Sequence, residues 1–178
     1  GLIDASGVHL RSSLDGIDTP VVIDDEHGPV AFYCLPYLEP EIARHHWELP
    51  QRGHPAAIGY AMDLVRADLS RRPRTRSVVL SHAFVTGGEP SDSERDISVG
   101  GASHVPVSVY DGVDYVALGH LHGRQTITPS VRYSGSPLAY SFSEEHHTKG
   151  YWVVDLDGDG LAGTEFVQAP VPRPLARV

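Results

Sequence analysis

Two histidines stand one residue apart near the end of the stretch DYVALGHLHGRQ, His120 and His122, and a third, His82, closes the stretch SVVLSH. In both places an apolar run leads straight into imidazole. Neutral imidazole suits Mn, Fe, Co, Ni or Zn far better than Mg. If the segment is extended, His120 and His122 point the same way and Leu121 turns toward the core. Gly119 in front lets the backbone pass close to a neighbour. Three imidazoles on adjacent strand tips make a partial metal site, and would hold one zinc with an open position. Spacing alone does not choose between ligation and chance, because the chain holds 11 histidines. His45, His46, His146 and His147 lie in polar runs and are expected to face water. A centre for two divalent ions also wants bridging carboxylates. Asp92, Glu94 and Asp96 read instead as loop capping and surface charge.

The elements that must carry these residues follow from pattern. Apolar runs at Val21 to Ile23 and Val30 to Leu35 flank a polar turn and predict a hairpin, stopped by Pro36. Val8 to Leu10 reads as a short strand, and EPEIARHHWELPQRGH as a short helix and a loop. Ile58, Ala61, Met62, Val65 and Leu69 recur at helical spacing, with Asp63, Arg66 and Asp68 on the wet face and Pro55 in the first turn. SRRPRTR is a charged surface connection, and Val78 to Leu80 a buried strand that delivers His82. The glycine- and serine-rich run after it predicts a long loop with a brief strand at Ile97 to Val99. VPVSVYDGV gives a helix or turn; DYVALGH and Val131 to Tyr133 give strands. Tyr151 to Leu156 and Thr164 to Val167 form a second hairpin, whose turn at Asp157 to Gly160 lacks the full ligand pattern of a calcium loop. Ser134 to Pro137 form a turn that either closes the sheet or shapes a wall near substrate. Strands and helices alternating between flanking hairpins predict an α/β fold with mixed sheets and flanking helices.

Composition limits the classes further. A length of 178 residues fits one domain. The formal charge is 14 minus 23, or -9, which argues against a broad nucleic-acid surface but leaves room for a local site where bound cations reverse the sign. A lone cysteine, Cys34, excludes a disulfide framework and fits a reducing cytoplasm. No apolar run approaches the length of about 20 residues that spans a membrane. The proline-spaced end reads as a linker over residues 170–178, after a domain over residues 1–169.

The stretches LSHAFVTGGEPSDSERDISVGG, DYVALGHLHGRQ and VRYSGSPLAYSFSE closely resemble the later part of SbcD-type nuclease subunits, within the calcineurin-like metallophosphoesterase superfamily. GHLH carries the superfamily; SDSERDISVGG and RYSGSP carry the narrower branch. The resemblance implies an incomplete calcineurin-like layered fold. It also implies that His82, His120 and His122 are ligands of a two-ion centre, usually of manganese. It places the other ligands and the catalytic histidine upstream, so no catalytic residue is expected in this chain and the isolated chain is expected to be inactive. It implies a DNA exonuclease and endonuclease of repair, recombination and replication. An SbcC-type ATPase partner, a homodimer and a cytoplasmic location come with it. Arg124 is a candidate phosphate contact, with an ordinary surface role equally open. Another calcineurin-like phosphodiesterase or phosphatase is the alternative, as is an inert structural portion.

Overall fold

A computed structural model describes residues 7–89, 91–92, 104–171 and 175. Strands β1 (Val21–Asp25), β2 (Gly28–Leu35), β3 (Arg76–His82), β4 (Tyr115–Gly119), β5 (Gln125–Thr128) and β6 (Val131–Tyr133) form one sheet in the order β1-β2-β3-β4-β6-β5. The four central strands run parallel; β1 and β5 are antiparallel edges. Helices α1 (Pro40–His46) and α2 (His54–Leu69) make the crossover from β2 to β3 that a parallel pair requires. Strands β7 (Gly150–Asp157) and β8 (Gly160–Gln168) form a separate hairpin.

Strand alternation divides the apolar residues between the two sheet faces. Ala31, Tyr33 and Leu35 of β2 and Val79 of β3 share one cluster with Ala57, Ile58, Ala61, Met62 and Val65 of α2. Each large side chain buried there is worth about 1.5–3 kcal/mol, so the helical stripe fixes α2 to the sheet. Val30, Val78 and Tyr115 point the other way and meet Val154, Leu156 and Leu161 of the hairpin. The result is an α/β fold with a mixed sheet, helices on one face and a hairpin against part of the other.

Several expectations change. Val8 to Leu10 is not a strand and its apolar side chains are exposed; no neighbouring strand pairs with it among the described residues. Asp68 is buried rather than wet, because Tyr33 Oη donates to it at 2.8 Å and Arg72 Nε at 2.5 Å. Arg76 is no surface link: it is 4 % exposed and its guanidinium pairs with Asp25 and donates to the Gly28 carbonyl. Leu80 lies 41 % exposed beyond the reach of the hairpin cluster. The short edge strand β5 is absent from the pattern-based reading, being polar and irregular in register. Residues 97–99, expected to hold a brief strand, and Glu94 and Asp96 lie outside the described residues.

Candidate metal centre

The β3–β4 ladder pairs His82 with Gly119, the last residue of each strand. The next residue along β4 is His120, and the two imidazoles meet with ring centroids 5.3 Å apart and planes at 71°. Register therefore brings together two residues 38 positions apart in sequence, at the carboxyl end of parallel strands where sites of α/β sheets collect. Gly119 makes room for the close approach: a Cβ there would lie 3.3 Å from His82 Nδ1, tight enough that the ring would have to shift slightly. Tyr37, two residues past β2, presents an edge-on ring to His82 at 6.0 Å. Phe84 flanks His120 at 5.8 Å. Burial pushes the His82 pKa below its ordinary value, which favours the neutral form, the one that ligates.

The strand does not continue through the second histidine. His120 adopts φ 118°, the glycine-favouring half of backbone space, at a cost on the order of 1–3 kcal/mol. Leu121 still turns inward and is 2 % exposed, anchoring the segment between the two imidazoles. The simple alternation expected for His120 and His122 is replaced by a turn whose conformation the packed Leu121 maintains.

His122 is held from elsewhere. Its Nδ1 lies 3.0 Å from Oε1 of Glu144, a carboxylate with no solvent exposure. Lys149 Nζ meets the other oxygen, Oε2, at 2.6 Å. Tyr140 packs near the His122 ring at 5.3 Å between centroids. Gly135, at φ 86°, lets the turn after β6 press against this segment: a Cβ would sit 2.6 Å from the His122 carbonyl oxygen. The turn Ser134 to Pro137 thus closes onto the imidazole-bearing segment, and Ser136 N donates to the His122 carbonyl at 3.1 Å. Tyr133, at the end of β6, supports the other strand tip. Its hydroxyl donates to the Ala83 carbonyl at 2.7 Å and accepts from the Val85 amide at 2.9 Å.

The remaining candidates are placed as follows. Arg124 is exposed, lies over the Phe166 ring at 4.3 Å from its centroid, and borders a cleft of about 310 Å³ with Glu89, Gln125 and His147. Asp92 is exposed, with its backbone amide donating to Ser143 Oγ at 3.1 Å. His45, His46 and His146 face water, but His147 does not fully: its Nδ1 is buried without a hydrogen-bond partner among the described residues, 4.0 Å from Glu144. Sequence reasoning missed Glu144 and Lys149. Glu144 ends a short 3-10 helix and closes the stretch VRYSGSPLAYSFSE, but neither periodicity nor that stretch marks it and a lysine five residues later as a buried pair.

The donor chemistry fits a divalent ion at the His82–His120 corner: two imidazoles converge, one of them driven toward its neutral form. Their number does not complete a site. Among the described residues no group of three His, Cys, Asp or Glu side chains gathers closely enough to hold an ion unaided.

Fold and site together define an α/β protein with histidines clustered at the carboxyl edge of a mixed sheet. Comparison with characterised proteins narrows this. The chain is 31 % identical over 170 residues to the SbcD subunit of the SbcCD nuclease of Staphylococcus epidermidis, a match covering 94 % of this chain and 44 % of that protein. The similarity links the chain to the SbcCD nuclease proteins, and the chain spans less than half the length of that relative. No protein-family model matches the chain. Among the described residues no helix is long and apolar enough to cross a membrane.

Proposed function

We propose that this chain supplies the imidazole portion of a two-ion phosphodiesterase centre in an SbcD-type DNA nuclease with a calcineurin-like layered fold. The observation that carries the reading is the meeting of His82 and His120 at 5.3 Å on adjacent strand tips. The similarity to an SbcD nuclease subunit supports the substrate class. In this reading His82, His120 and His122 would be ligands of that centre, while the remaining ligands and the catalytic histidine come from a preceding portion of the protein. Ions in such a centre polarise the scissile phosphate and make water a competent nucleophile near neutral pH. Manganese suits imidazole donors mixed with carboxylates.

The chain's own residues hold and orient. Leu121 and Tyr133 fix the two strand tips from the core side. Tyr37 packs on His82 and Phe84 on His120, and burial favours the neutral form of His82. Arg124, exposed beside the cleft, is the residue this reading assigns to a substrate phosphate. Residues 1–169 belong to the nuclease domain and residues 170–178 lead out of it. DNA, an SbcC-type ATPase subunit and a second copy of the nuclease subunit are the partners this reading carries, in the cytoplasm.

The test is manganese titration into the chain and into the chain extended by its preceding portion, following linear duplex DNA and a small phosphodiester. The reading expects DNA cleavage in the extended protein and its loss on His82→Ala or His120→Ala. Hydrolysis of the small ester without DNA cleavage, even with the ATPase partner, favours another phosphoesterase. Full activity in the chain alone overturns the division of ligands.

A further inference from the structure

A fully buried glutamate beside a fully buried lysine is expensive to desolvate, and such pairs are frequently no more stabilising than apolar residues of the same bulk. Glu144 is 1 % exposed and Lys149 1 %, so the pair calls for a reason beyond stability. Its hydrogen bonds supply one. Every donor of the Lys149 ammonium is engaged: Glu144 Oε2 at 2.6 Å, Ser136 Oγ at 2.9 Å and the backbone carbonyl of His122 at 3.1 Å. The lysine is therefore the counter-ion of the Glu144 carboxylate and at the same time grips the main chain of His122. The other carboxylate oxygen, Oε1, faces His122 Nδ1 at 3.0 Å. An ionised carboxylate only accepts, so the imidazole must donate from Nδ1. The lone pair is then left on Nε2.

We propose that Glu144, clamped by Lys149, is a positioning residue. It fixes the ring and the tautomer of His122 so that Nε2 is the nitrogen that presents a lone pair to a divalent cation. This deepens the reading of the centre given above and rests on it only for the identity of the cation. Side chain and backbone of His122 are held by the same network, which leaves the ring little freedom to turn. Carboxylate partners of ligating histidines characteristically act this way, and their loss lowers metal affinity about 10–100-fold.

The experiment uses the full 178-residue chain. Nitrogen-15 NMR of the histidines, metal-free in mildly alkaline buffer, is expected to find His122 protonated on Nδ1. A dominant Nε2–H form overturns the proposal regardless of any variant. The paired substitution Glu144→Met with Lys149→Met removes both charges at similar volume. It is expected to shift His122 toward Nε2–H, with the thermal midpoint nearly retained, and, in the chain extended by its preceding portion, to weaken Mn2+ binding at least tenfold. Unchanged affinity in that variant sinks the positioning role. A correct tautomer in a wild-type chain whose extended form ignores Mn2+ supports the role of Glu144 and counts against the metal reading. If the paired variant does not fold, the wild-type spectrum alone decides.

Discussion

Removing one oxygen from Tyr133 tests how the strand tips are held. The ring is fully buried, and the hydroxyl bridges the Ala83 carbonyl and the Val85 amide, on either side of Phe84 and just past His82. Tyr133→Phe leaves a buried C=O and a buried N–H without their partner. Each orphaned group costs about 1–3 kcal/mol, or about 2–6 kcal/mol for the two; partial entry of water brings the expected loss to the lower part of that range, about 2–4 kcal/mol. Against a total stability on the order of 5–15 kcal/mol this is a large fraction. With a urea slope near 2 kcal/mol/M, the unfolding midpoint should fall by about 1–2 M at unchanged slope. Tyr110→Phe is the internal control. Tyr110 is also buried and its pKa is pushed up to about 12 by burial. Yet among the described residues its hydroxyl meets only another hydroxyl, Ser81 Oγ at 2.9 Å, which can rotate to a new partner. That variant should lose about 1 kcal/mol. Hydrogen exchange gives the local readout: the Val85 amide should lose protection in Tyr133→Phe and keep it in Tyr110→Phe. If Tyr133→Phe costs no more than Tyr110→Phe, the hydroxyl does not hold the loop, and the account of how His82 is positioned fails with it.

Two further expectations concern strain and pH. His120→Gly should be more stable than His120→Ala by about 1 kcal/mol, because alanine keeps the φ 118° strain and glycine relieves it; thermal unfolding of the pair reads this, and an alanine variant as stable as the glycine one refutes the strain. Burial alone would raise the Asp68 carboxyl, but the hydrogen bonds from Arg72 and Tyr33 and the charges of Arg72 and Arg71 outweigh it and hold the pKa below its ordinary value of 3.8. A depressed folded-state pKa stabilises the protein above the unfolded value, and that contribution disappears as pH falls through the folded one. The melting temperature should therefore drop more steeply below about pH 4 in the wild type than in Asp68→Asn, and parallel curves would show that Asp68 contributes no linkage.

Local pattern in the chain determined the elements and the residue types of the site. The hairpin of β1 and β2, the stripe of α2, the apolar runs that end in His82 and precede His120, and the β7–β8 hairpin all depend on neighbours a few positions away. Sequence therefore also brought out the three imidazoles as candidates, their role carried by resemblance, and predicted a mixed α/β sheet. Tertiary structure decided what those residues meet. Whether His82 and His120 converge depends on the β3–β4 register, and nothing in either strand alone specifies it. Arg76 became a core residue because Asp25, 51 positions away, compensates its charge. Asp68 turned inward for Tyr33, 35 positions away. Glu144 and Lys149 tolerate burial only because they face each other and the His122 backbone. Burial of a charge is decided by the free energy of its assembled partners, and those partners exist together only after the chain has folded.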